Sequence, residues 1–193
     1  MKKLFLLAAV AAALTASAGV KIGTVDMLKL VRNHPNYESN RTLVAETEKD
    51  YSRKLDKMRS ELEALSEEGK KMQEQLQNPM LSAAAKQKSE KDLTVLQNKF
   101  LSAQQQLRSE MMRSQQDLQD LEARLLKGTS SDLKKRITEF AEKAGYDFVL
   151  DASAAPYAKA SYDVTPAILK TMGVDPAKAV DPAAASEKKH ESK

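Results

Sequence analysis

The 193-residue sequence has no cysteine and no tryptophan, only six glycines and six prolines, and 5% aromatic residues. Without cysteine there is no disulfide framework, no thiolate metal site and no thiol for a lipid anchor. Stability must therefore come from packing or self-association. The glycines are scattered, and neither GxGxxG, a P-loop nor GxSxG occurs, which removes the common nucleotide-binding and serine-nucleophile signatures. His34 and His190 are the two histidines, and no His/Asp/Glu cluster has ligand spacing, so no metal, cofactor or catalytic residue is expected. Beyond the first residues no apolar run is long enough to span a bilayer. Few aromatics beside 30% charged residues suit long solvated helices better than a compact globule. The expectation is a non-enzyme.

What is present begins with a leader. Lys2 and Lys3 precede an apolar stretch over 4–14 and the small-residue triplet Ala16-Ser17-Ala18, the order of a secretory signal peptide. Residues 1–18 are read as that signal and the mature chain as exported, periplasmic or secreted. Losing Lys2 and Lys3 lowers the formal net charge from +4 to about +2. A near-neutral chain offers no clustered basic surface for nucleic acid.

A heptad seam then dominates. Tyr51, Leu55, Met58, Leu62, Leu65, Met72 and Leu76 recur at spacings of 3 and 4, with Gly69 filling the one gap. The Asn78-Pro79 pair interrupts it, since proline lacks an amide hydrogen and disfavours helix at the residue before it. A hairpin tip at 78–80 or a kink in one helix both fit. The tip is favoured because a second seam follows and offers the first a partner. That seam runs Leu93, Leu96, Phe100, Ala103, Leu107, Met111, Ser114, Leu118, Leu121 and Leu125, with a stutter at Ala103-Leu107-Met111. At residues 128–131 (GTSS) a kink or a true break fits. Reversal at Asn78-Pro79 makes paired residue numbers add up to about 157, an antiparallel arm over 38–119 of about 60 Å.

The flanks read as a small β-containing body over 19–37 and 120–172. Residues 21–27 (KIGTVDM) form a strand and a short helix covers 27–32. Gly145 caps the return helix, and residues 146–151 (YDFVLD) form a strand apolar on successive positions, so covered on both faces. Residues 157–162 are a candidate edge strand. Thr165 as N-cap and Pro166 at N1 start a last helix. So small a body beside a coreless arm is marginal alone, which points to oligomerisation through Ile22, Val25, Phe148, Val149, Leu150 and Tyr157. Residues 173–193 lack apolar periodicity and read as a disordered tail. Candidate contacts for varied apolar partners are Met58, Met72, Met80, Phe100, Met111 and Met112. Filling the seam is the alternative for Met58, Met72 and Met111, whereas Met80 and Met112 lie off it.

The leader, KIGTVDM, the helical hairpin and the closing segment YDFVLDASAAPYAKASYDVTPAILKTM together resemble the Skp (OmpH-like) periplasmic chaperones over 21–172. The closing segment is the most specific part, with a strand ending in Asp151, then Tyr157 and a helix start at 163–170. The resemblance implies a homotrimer whose three arms enclose a cavity. It also implies an ATP-independent holdase for unfolded outer-membrane proteins, without stable membrane insertion. Over 66–92 five lysines balance five acidic residues, so no lipopolysaccharide site is carried over. The competing expectation is a coiled-coil spacer or adaptor for one fixed partner.

Overall fold

A computed structural model describes residues 19–182; the leader at 1–18, His190 and the end of the tail lie outside them. The elements in order are β1 (Ile22–Val25), α1 (Met27–Arg32), α2 (Tyr37–Leu76), α3 (Ala83–Ala144), β2 (Phe148–Asp151) and α4 (Thr165–Thr171). The fold is mainly α with a small two-stranded sheet, as the patterning implies. The chain divides into two compact units, the hairpin His34–Asp132 and a body formed by the segments on either side of it. The divisions fall at 33/34 and 132/133, whereas the pattern suggested 37/38 and 119/120.

In the body, β1 and β2 pair in parallel, Ile22 opposite Phe148 through Val25 opposite Asp151. Parallel neighbours need a long crossover; here the crossover is the whole of residues 26–147. Lys21 fixes the start of this pairing. Its backbone N–H donates to the Asp147 carboxylate at 2.6 Å, and its ammonium donates to the Ala144 carbonyl while lying 4.2 Å from the Tyr146 ring centre. Gly145 takes the left-handed conformation (φ 68°). The N–H groups of Gly145 and Tyr146 then donate back to the carbonyls of Glu142 and Ala141, a Schellman closure of α3. Beneath the sheet lies one core cluster of Val25, Leu30, Leu133, Val164, Ile168, Leu169 and Met172.

Three expectations for the body change. Residues 157–162 form no strand: the segment is irregular and ends in a 3-10 turn at Ala160–Tyr162, and only Asp163 makes a single bridge, to Thr24. Ala158, Lys159 and Ala160 bring no β-branched side chain to such a strand. Thr165 is not the cap of α4. The Asp163 carboxylate accepts from the Thr165 N–H at 2.8 Å, and the Thr165 hydroxyl accepts from the Asp26 N–H at 2.9 Å. Thr165 thereby joins the start of α4 to the end of β1, and it is almost fully buried. Finally, residues 173–182 are ordered, with Val174 and Ala179 packed on the core. A few small apolar residues are enough to cover the end of a core this small, without helical or strand periodicity.

The hairpin unit is two antiparallel helices. Tyr51 reaches Asp117, Lys54 reaches Glu110, and Asn40 reaches Thr129. These pairs add up to about 164–169, so each α2 residue faces α3 about two to three turns further on than the 157 register implied. The tip explains part of the offset. It spans 77–82, where Asn78 Oδ1 accepts from the Met80 N–H and Ser82 Oγ caps α3 through the Ala85 N–H. No break occurs at Gly128: α3 is one helix of 62 residues. Buried His34 accepts at Nδ1 from the Asn36 N–H, leaving Nε2 to donate to Asp132 at 3.0 Å, which ties the turn before α2 to α3.

Gly23 offers a direct check of the body's packing. A Cβ there would lie 3.1 Å from Val164 Cγ1 and 3.2 Å from Tyr146 Cε1. Gly23→Val is expected to destabilise the protein by about 1–3 kcal/mol through overpacking, read as a lower urea midpoint.

Candidate functional site

The seam positions on α2, from Tyr51 to Leu76, are all half-buried and none is fully buried. On α3 the seam is deeper: Leu96, Ser114 and Leu121 are buried, while Met111, at the stutter, stays 44% exposed. Met58, Met72 and Phe100 are therefore half-buried members of the seam, and Met80 and Met112 are exposed at 89% and 74%. The six candidate contact residues thus separate into an inner set of three and an outer set of three.

Two residues that periodicity did not single out join the outer set. Leu101 and Leu126 are 60% and 58% exposed and lie off the seam. At about 100° per residue they fall within about 40° of Met112, forming one stripe on the flank of α3. Gln105, Arg108, Gln115, Gln119 and Ala123 share that stripe, so Arg108 is its one charge between Leu101 and Leu126. α2 has no counterpart, since its one large exposed apolar residue is Leu43. The signal is present in the sequence as apolar residues spaced 11 and 14 apart among glutamines; the stronger heptad masks it.

Next to Leu101 the hairpin opens into a groove of about 420 Å³, lined by Leu65, Gly69, Leu93, Leu96, Phe100 and Leu101 among others. It exists because Gly69 takes a seam position without a side chain. Lys70 at its edge donates to Glu67 at 2.7 Å, a bond that holds the Glu67 carboxyl below its usual pKa range and raises that of the Lys70 ammonium. Both groups are exposed, so the pair shapes the edge without stabilising it appreciably. Further along, the Tyr51 hydroxyl donates to Asp117 at 3.1 Å, and that bond, with lesser help from desolvation, raises the phenol's pKa.

In the body, the two faces of the sheet differ. Val25 is buried in the core and Val149 packs against it, while Ile22, Phe148 and Leu150 stand on the opposite face with Phe148 58% exposed. Tyr157 is 81% exposed. Within one chain β2 is therefore covered on one face only, in contrast to the two-sided cover its apolar run suggested. Among the described residues no three His, Cys, Asp or Glu groups converge to hold a metal ion, and no helix is long and apolar enough to cross a membrane.

The groove predicts the effect of a small change. An added Cβ at Gly69 meets Leu96 Cδ2 at 3.7 Å, an ordinary contact. Gly69→Ala is expected to stabilise the hairpin by about 0.5–1 kcal/mol, seen as a raised thermal midpoint, because alanine loses less conformational freedom in a helix than glycine.

The same segments are shared with known proteins. The family model described as outer membrane protein (OmpH-like) matches residues 21–172. Chaperone protein Skp of Yersinia enterocolitica is 27% identical over 174 residues, covering 88% of this chain and 98% of that protein. A solved OmpH-like structure from Caulobacter crescentus CB15 superposes with a TM-score of 0.55 at 12% identity, covering 79% of this chain and 83% of the other, a likeness of fold. The match spans β1, the hairpin, β2 and α4, and the chain belongs to the Skp (OmpH-like) family.

Proposed function

We propose that this protein is an ATP-independent periplasmic holdase that keeps unfolded outer-membrane proteins from aggregating. Membership of a chaperone family supports the general role. The observation that carries the specific reading is the α3 stripe of Leu101, Met112 and Leu126 set among uncharged amides. An unfolded barrel strand alternates apolar and polar residues. Exposed aliphatic groups can take the first, and glutamine side chains can exchange hydrogen bonds with the second or with free backbone. Shallow, repeated contacts of this kind suit many clients better than one deep pocket.

In this reading the working unit is a trimer, formed through the apolar outer face of the sheet at Ile22, Phe148 and Leu150 together with Tyr157. Val25 and Val149 contribute by holding the strands onto their own core. The client sits between the arms, with Met80, Met111 and Met112 as further contacts, and the half-buried Met58, Met72 and Phe100 become available where the seam loosens.

Two measurements test this. Purified protein at one trimer per client is expected to suppress aggregation of a urea-denatured outer-membrane barrel without nucleotide. The triple substitution Leu101→Ser, Met112→Ser and Leu126→Ser is expected to weaken binding by about tenfold or more, because losing one aliphatic contact costs about 1.5 kcal/mol. Exposed charged residues of α2, Lys57 and Glu61, serve as controls that leave binding unchanged. No suppression by the unaltered protein defeats the proposal. The native mass is expected to be three times that of one subunit, and Phe148→Asp with Leu150→Asp to reduce it to that of the monomer; a monomeric unaltered protein removes the enclosed cavity.

A further inference from the structure

The segment after α4 does something that neither the family match, which stops at residue 172, nor the proposed client binding accounts for. Gly173, at φ 76°, turns the chain out of α4, and the Val174 N–H donates back to the Leu169 carbonyl at 3.0 Å. Val174 then lies on the core, a turn held by Asp175 reverses direction, and Ala179 returns to the core. At Val180 the segment meets α1. The Val180 N–H donates to Asn33 Oδ1 at 2.8 Å, and Asn33 Nδ2 donates to the Val180 carbonyl at 2.9 Å. Lys29 and Asp181 add an ion pair at 3.9 Å, and Pro182 is buried.

The two bonds at Asn33 reproduce the exchange of N–H and C=O that one residue makes with its neighbour across a β-ladder. A side-chain amide thus stands in for a strand. Asn33 Nδ2 also donates to the Lys29 carbonyl at 2.8 Å, and the Asn33 backbone N–H donates to the same carbonyl. One side chain therefore closes the last turn of α1 and clasps the C-terminal segment. The next residue, His34, is the first of the hairpin unit.

We infer that residues 174–182 are a strap whose attachment at Asn33 holds the last turn of α1, so that releasing the strap loosens the turn leading into the arm. The grip is local: two hydrogen bonds, one partly exposed ion pair and a few small apolar side chains. That is the profile of a segment that opens on its own, well below the free energy of global unfolding.

Hydrogen exchange on the full-length chain, read by mass spectrometry, tests the strap with two variants that leave α1 unaltered. Val180→Pro removes the N–H that Asn33 accepts; ending the chain after residue 178 removes the clasp entirely. In both, amides of residues 29–33 are expected to exchange faster, several-fold in Val180→Pro, which loses one bond, and about tenfold in the shortened chain, which loses both. Those of Ile22–Val25 and Phe148–Asp151 are expected to keep their rates. Unchanged exchange over 29–33 in either variant overturns the inference, as does an unprotected Val180 amide in the unaltered protein. Acceleration across both strands as well overturns it too, since the segment would then be an inseparable part of the core.

Discussion

Parallel pairing of two four-residue strands is the constraint on which the body depends. Ile22–Val25 and Phe148–Asp151 are separated by more than a hundred residues, yet each supplies the other's backbone partners and a share of one core. Loop-closure entropy grows only slowly with loop length, so a very long crossover is little worse than a moderate one. A long, self-paired excursion has lower cost still, because α2 and α3 bring its ends towards each other before the strands meet. Lys21 and Gly145 then set the register, one by gripping the end of α3 and the other by turning the chain into β2. The Thr165 hydroxyl ties the third member, α4, to the residue that follows β1 and caps α1.

The hairpin is stabilised in a different manner. No residue of α2 is fully buried, and its attachment to α3 is a succession of half-buried side chains supplemented by partly exposed polar pairs such as Lys54 with Glu110. Exposed ion pairs contribute little each, so the stability of this unit is spread thinly along its length. Gly69 thins it further and opens the groove. A helix pair built so can separate locally without losing its secondary structure, and separation exposes apolar seam residues in place of a core.

Local rules make much of this legible. The heptad at Tyr51 to Leu76, proline at position 79, the Gly145 cap and the strands around Val25 and Val149 all follow from neighbours in sequence. What is not legible depends on distant partners. The register of the hairpin is set by pairs far apart in sequence, such as Tyr51 with Asp117 and Lys54 with Glu110, and the six-residue tip at 77–82 accounts for only a little of the shift. Thr165 has the sequence context of a cap, but Val164 holds the N-cap position, the Asp163 carboxylate takes the Thr165 N–H, and the Thr165 hydroxyl accepts from Asp26. The residues after Gly173 lack any periodic signal because they are held by Asn33, distant in sequence, and by the end of a core whose members come from several elements. The α3 stripe is hidden for another reason: Leu101 and Leu126 are ordinary helix residues until the seam is known to face elsewhere.

The scarcity of charge on that stripe has a consequence for how the proposed client contact would respond to the surrounding medium. Attraction between exposed charges fades as ionic strength rises, because mobile ions screen it over distances of about 8–10 Å at moderate salt. Aliphatic and amide contacts carry no such dependence, and salts excluded from protein surfaces strengthen apolar association. Gln105, Gln115 and Gln119 keep the flank of α3 wettable without adding charge to it. Most of the arm's charges lie off this stripe, on α2 and on the other faces of α3, and they keep a long helical pair in solution.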